Sequence, residues 1–128
     1  MFKNVKAFSS FSVDDLGNAK DFYGQTLGLE VAEVEKMGIL RVRLATGGEV
    51  MIYPKDNHQA ATFTILNFPV NDVEVAVDQL TEKGIRFESY DTEWIKTDEK
   101  GIARDENGPA IAWFKDPAGN ILAVLEER

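Results

Sequence analysis

Over residues 5–13 apolar and polar side chains alternate, with Phe11 and Val13 on one side and Ser10 and Ser12 on the other. A period of two predicts a strand with one buried face. The period then lengthens. Leu16, Ala19, Phe22 or Tyr23, and Leu27 recur at helical spacing, and Gly28 is the predicted stop. Asp14 or Asp15 is placed to cap this helix, because a carboxylate accepts bonds from the free N–H groups of the first turn and complements its positive end. Three strands are predicted next, over about 29–35, 38–45 and 49–54, with turns at Gly38 and at the Gly47-Gly48 pair.

Lys55 to Ala60 form a polar connection. Residues 61–69 predict another strand, and Val73, Ala76, Val77 and Leu80 give a second helix its apolar stripe. A strand is expected from Ile85, followed by a long irregular stretch from Tyr90 to Gly108. The last two strands are predicted over about 109–115 and 120–126, joined by Asp116-Pro117-Ala118-Gly119-Asn120, whose residue types each favour a turn.

The two halves carry one pattern. Val13-Asp14-Asp15-Leu16 recurs as Val70-Asn71-Asp72-Val73, 57 positions on, and Gly28 recurs as Gly84, 56 positions on. Each half reads strand–helix–strand–strand–strand, so we expect a single domain of two repeated modules, about 1–57 and 61–128. A unit repeated in so short a chain does not bury its apolar face alone.

Composition narrows the function classes. The 128 residues are 44% apolar and 28% charged, which suits a folded domain and argues against disorder. The absence of cysteine excludes disulfides, thiolate metal sites and cysteine nucleophiles. A net charge of −8 repels phosphate backbones, so no nucleic-acid partner is expected. It would suit a cationic ligand, although solubility is the commoner reason for acidity. No apolar run approaches the ~20 residues of a membrane span, and no signal-peptide core is present. A cytoplasmic protein with no membrane partner is expected.

The repeated unit, the run Val13-Asp14-Asp15-Leu16 with Phe22-Tyr23 and Leu27-Gly28-Leu29, and the ending Trp113-Phe114-Lys115-Asp116-Pro117-Ala118-Gly119-Asn120 resemble the vicinal oxygen chelate superfamily. That superfamily includes glyoxalase I, extradiol dioxygenases, fosfomycin-resistance transferases and bleomycin-resistance proteins. The resemblance spans essentially the whole chain. It implies an α+β fold of two βαβββ modules, whose curved mixed sheets form a groove, and a homodimer. It says less about activity, because one fold hosts many chemistries.

The resemblance also implies where a divalent metal would be held, by residues of the first and fourth strands of each module. Carried onto this chain, those positions are Phe8, Ile52, Ile65 and Ala123, with register at Ile52 open by one residue toward Met51 or Tyr53. None bears the carboxylate or imidazole that first-row divalent ions require. No metal or other cofactor is expected.

The remaining chemistry is sparse. His58 is the only histidine, and it reads as a solvated residue of the connection, with nothing to place it beside Ser9, Ser10 or Ser12. No catalytic residue is assigned. Asp91, Glu93, Asp98 and Glu99 read as a solvated acidic loop rather than as paired catalytic acids. Arg41 and Arg43 share a strand face that could anchor an anion or simply face water.

If Phe8 and Ile65 face the groove, alternation adds Ser10, Ser12, Phe63 and Asn67 to the same side. It also groups Ile111 with Trp113, and Ala123 with Ile121 and Leu125. Trp113 further matches a position that contacts substrate in the fosfomycin-resistance branch. The stretch containing Trp94 is long enough for a lid or a dimer contact.

Phe8, Ser10, Ser12, Ile52, Phe63, Ile65, Asn67, Trp94, Ile111, Trp113 and Ala123 are thus the candidate ligand-binding residues. Three readings stay open. One is a metal-free binding protein for a small apolar or cationic molecule, of the sequestering resistance type. Another is a lyase, isomerase or dioxygenase with an atypical metal site. The last is a structural or regulatory module whose groove is filled by its own side chains.

Overall fold

In the computed structural model, which describes residues 1–127, the chain forms two units, Met1–Ala60 and a second that begins at Ala61. Each is a βαβββ module, and the fold is α+β.

The first unit runs β1 (Ser9–Val13), α1 (Leu16–Lys20), β2 (Glu30–Val34), β3 (Ile39–Arg43) and β4 (Glu49–Pro54). Asp15 is the residue that caps α1. Its backbone is extended and its carboxylate accepts the Asn18 N–H at 2.9 Å. The helix does not continue in α form to Gly28. From Asp21 to Thr26 it widens into a π-helical turn, in which Leu27 N–H donates to Phe22 C=O at 2.9 Å. The wider turn sends Tyr23 wholly into the core, against Phe11 and Phe22 at ring distances of 5.7 and 5.1 Å. Phe22 is left half-buried. Gly28 then takes a φ of 73°, and Leu29 N–H closes back onto Tyr23 C=O at 3.0 Å, so glycine ends the helix as expected.

The sheet order is β1-β4-β3-β2, with β1 and β4 parallel and the other pairs antiparallel. Val13, Leu40, Val42, Val50 and Ile52 are buried on the face that α1 covers through β3 and β4. The opposite face carries Ser10, Ser12, Arg41, Met51 and Tyr53, which follows from the period of two and the register.

The second unit runs β5 (Thr64–Val70), α2 (Val73–Glu82), β6 (Ile102–Ala103), β7 (Ile111–Lys115) and β8 (Ile121–Glu126), in the sheet order β5-β8-β7-β6. Asp72 caps α2, accepting from Glu74 and Val75 N–H at 3.0 and 3.2 Å. No full strand begins at Ile85. Phe87 makes one bridge to Phe114, and Glu88 N–H donates to Trp113 C=O at 2.8 Å. The chain then leaves the sheet edge and returns to it as β6, which pairs with Ile111 and Ala112. The edge that β2 fills alone in the first unit is therefore shared here by residues 87–88 and by β6.

The excursion between them is not an irregular loop. Tyr90 and Thr97 exchange backbone and hydroxyl bonds, and Asp91 bridges Lys96. The Asp98 carboxylate accepts Lys100 and Ile102 N–H, both at 2.9 Å. Gly101 has a φ of 85°, and a Cβ there would lie 2.9 Å from Phe87 Cβ and 3.0 Å from Glu88 C=O. Only glycine lets this bend pack against the edge. Lys100 reaches Glu74 and Asp78, and Arg104 reaches Glu74 and Asp98, which ties the excursion to α2.

The predicted turn between β7 and β8 is a buried polar knot. Asp116 Oδ1 accepts Ala118 and Asn120 N–H at 2.9 and 2.8 Å, and Asp116 Oδ2 accepts the Asn120 side-chain amide at 3.1 Å. Asn120 Oδ1 in turn accepts Ala61 N–H at 3.1 Å, fixing the entry to β5.

Candidate functional site

In the first unit the face away from α1 carries Phe8, 64% exposed, at the rim of a cavity of about 330 Å³. Met37, Ile39 and Met51 are among its apolar lining, and Arg41 grips Glu49 with contacts of 2.7 to 3.0 Å. Arg41 therefore already has a carboxylate partner. Ile52 does not reach this face. It is fully buried beneath α1, paired with Phe11 and Leu40, because one step along a strand reverses a side chain. The residue that does reach it is Met51. Ser10 pairs with Met51 in the first unit as Asn67 pairs with Ala123 in the second, so Met51 is the true counterpart of Ala123.

In the second unit the register aligns Asn67, Ala123 and Trp113 in one row across β5, β8 and β7. Ala123 is fully covered within that row. An irregularity between Thr64 and Leu66 leaves Ile65 without a register partner, so it is Thr64 that shares the face of Asn67. Phe63 lies before the strand and is 67% exposed. The alternation that grouped Phe63, Ile65 and Asn67 is broken there.

Trp94 joins Ile111 and Trp113 of β7 in lining one pocket of about 550 Å³. Trp94 is held out at 86% exposure by a tight turn in which Thr92 Oγ1 accepts the N–H groups of Trp94 and Ile95 at 3.2 and 2.9 Å. Trp113 is braced edge-on by Tyr90 at 5.6 Å. Burial, reinforced by the charge of Glu88 and opposed by Lys115, holds the Tyr90 hydroxyl above the usual tyrosine range. Glu93, Asp105 and Glu106 line it as well, with Lys96 and Arg104. Arg104 is drawn onto Asp98 and Glu74, which leaves the lining acidic in balance.

His58 is not an isolated loop residue. Its Nδ1 lies 2.6 Å from Ser12 Oγ, with the pair partly buried, and it corrects the expectation that nothing brings histidine and serine together. Parallel pairing of β1 with β4 sets their C-terminal ends side by side, so the turn after β4 returns to the end of β1. Lys55 N–H donates to Val13 C=O at 3.0 Å and His58 N–H to Lys55 C=O at 3.1 Å, which fixes that return. The missed signal was topological.

The glyoxalase/bleomycin resistance protein/dioxygenase superfamily model matches residues 8–124. The chain belongs to that superfamily. Solved structures similar to this superfamily member share its fold. A glyoxalase family protein from Enterococcus faecalis is 24% identical, with 98% of this chain and 100% of that chain covered and a TM-score of 0.67. Lactoylglutathione lyase from Agrobacterium tumefaciens is 20% identical over 97% and 96%, with a TM-score of 0.68. TnmS3, an antibiotic binding protein from Streptomyces sp. CB03234, is 21% identical over 98% of each chain, with a TM-score of 0.65. No curated protein matches the chain.

For this superfamily member the donor set does not fit the divalent ion that the family resemblance implies. With Met51 in place of Ile52 and, by the same register, Thr64 in place of Ile65, the four positions are Phe8, Met51, Thr64 and Ala123, offering a phenyl ring, a soft thioether, a hydroxyl and a methyl group. Hard divalent ions require carboxylate, imidazole or carbonyl oxygen in their place. Glu49, on the same face as Met51, is engaged with Arg41. Among the described residues no group of three or more His, Asp or Glu side chains is placed to hold a metal ion.

Proposed function

We propose that this chain is a metal-free small-molecule-binding protein that sequesters a flat apolar or cationic ligand between Trp94 and Trp113. The observation that carries this reading is the pocket of about 550 Å³ that those two indoles and Ile111 line together with charged residues of acidic balance. Aromatic walls with a few charged groups are how ligand pockets are commonly built. An indole face attracts a cation, and net negative charge in the lining adds to the attraction. The lack of any carboxylate or imidazole at Phe8, Met51, Thr64 and Ala123 supports binding without a metal. The antibiotic-binding protein TnmS3, similar in fold, supports sequestration as a role for such a scaffold. The reading includes a homodimer, which the family resemblance supports, and a cytoplasmic location. Among the described residues no helix is long and apolar enough to cross a membrane.

The chain has two tryptophans, and both line the pocket, so they report on it directly. The test is a titration of the full chain with planar aromatic cations and neutral aromatics, read by tryptophan fluorescence and by thermal shift, with and without EDTA. Saturable quenching with a raised melting temperature, unchanged by EDTA, is the expected result, since a ligand that binds the native state stabilises it. A panel in which no compound shifts the melting temperature, or in which EDTA abolishes binding, overturns the reading.

A further inference from the structure

Hydroxyl groups are weak nucleophiles unless a base sits within hydrogen-bond reach, about 2.6–3.2 Å. Ser12 Oγ and His58 Nδ1 are 2.6 Å apart. The two residues are 46 positions apart in sequence, and the sole histidine of the chain is the one brought there. Ser12 lies on the face away from α1, since its neighbours Phe11 and Val13 point toward the core side. Both residues are half-buried, which keeps the pair reachable while limiting competition from bulk water. Tyr53 pairs with Ser12 across β1 and β4, so the two side chains leave the sheet on the same face. The imidazole is held by the bonded turn that carries His58 N–H to Lys55 C=O.

We propose that Ser12 and His58 form a nucleophile–base pair that accepts an acyl group from small activated esters. In the reacting tautomer His58 carries its proton on Nε2, and Ser12 donates its own to Nδ1. Ser12 Oγ forms a bond to the carbonyl carbon as its proton passes to Nδ1. The tetrahedral adduct then expels the alcohol or phenol oxygen, which takes the proton from His58. An acyl-serine and a neutral imidazole remain. Water repeats the sequence, giving the carboxylic acid and restoring the serine. No metal, oxidant or reductant enters. The pair lies in the first unit and does not rest on ligand binding at the Trp94–Trp113 pocket.

The test treats the full chain with a fluorophosphonate probe, which phosphonylates an activated serine with loss of fluoride, and locates the adduct by peptide mass. One adduct on Ser12 is expected, lost in Ser12→Ala and kept in Ser10→Ala, a serine on the same face of the same strand. His58→Gln is expected to slow labelling about 10²-fold, in the range that a positioned base supplies. A second measurement avoids mutation. Diethylpyrocarbonate on the wild-type protein modifies the only histidine, and it is expected to suppress labelling until hydroxylamine reverses it. No adduct on Ser12 overturns the proposal, and so does an adduct whose rate is unchanged after His58 is replaced or modified; either result leaves the ligand pocket untouched.

Discussion

The polar knot at the β7–β8 turn gives a prediction whose sign depends on direction of donation. Asp116 and Asn120 are 4% and 2% exposed, so water does not compensate for a lost partner. In Asp116→Asn the new amide must keep its oxygen on the Ala118 and Asn120 N–H groups, which turns its NH2 toward the Asn120 NH2. The Asn120 amide does not flip, because its Oδ1 accepts Ala61 N–H at 3.1 Å. One bond to a charged acceptor is lost, worth roughly 1.5–3 kcal/mol, and two others fall from charged to neutral. We expect a loss of about 3 kcal/mol. Asn120→Asp alone sets two carboxylates against each other and is expected to cost at least as much at neutral pH.

The double exchange, Asp116→Asn with Asn120→Asp, restores one donor facing one acceptor at each of the four bonds described above, including the one to Ala61. It should recover about 2 kcal/mol as coupling between the sites. Urea unfolding followed by circular dichroism is the assay. At an m-value of roughly 2 kcal/mol/M, the single Asp116→Asn change lowers the midpoint by about 1.5 M. If the two single effects simply add in the double variant, within about 0.5 kcal/mol, the hydrogen-bond direction assigned here is wrong.

Other outcomes follow from separate parts of the molecule. Trp94→Ala should leave urea stability within about 0.5 kcal/mol, since the side chain is solvated, yet weaken ligand binding by about 2 kcal/mol, roughly thirtyfold in Kd. Gly101→Ala forces a side chain into positive φ and into Phe87, and a loss of roughly 1–3 kcal/mol by thermal melting is expected. Ile52→Ala should cost about 2–5 kcal/mol and Met51→Ala less than about 1.5 kcal/mol, a contrast that checks which of the two lies in the core. Burial pushes the Asp98 carboxyl up, but bonds from Ile102 N–H, Arg104 and Lys100 N–H together hold it below the usual carboxylate range. Its stabilising effect is therefore present above that range and lost as pH falls through the lowered value. Asp98→Asn should flatten the acid limb of the stability curve below about pH 4, read by urea midpoints at a series of pH values.

Where a feature was set by neighbours in sequence, it was legible. Asp15 and Gly28 bound the first helix, and Asp116 to Asn120 make the predicted turn, because caps and turns are local chemistry. Features set by register or closure were not. Ile52 was assigned one step out of phase, and alternation converts one step into the opposite face. The irregularity at Ile65 has the same effect on Phe63. The π-helical turn that carries Tyr23 onto Phe11 is contained in no spacing rule. The approach of His58 to Ser12 required knowing that β1 and β4 run parallel. For the pocket, Trp94, Ile111 and Trp113 were each candidates, but only the excursion tied down by Lys100 and Arg104 assembles them.

The divided edge of the second sheet separates two tasks that the first module performs with one strand. Residues 87–88 and β6 keep the outer strand β7 partnered, so the backbone between them is released from pairing without exposing a long sticky edge. The excursion is still anchored, by Gly101 against Phe87 and by Lys100 and Arg104 on α2, so the part least tied to the fold is its tip around Trp94. The second module thus carries an outlying segment that the first lacks, held at its base and projecting Trp94 at its tip.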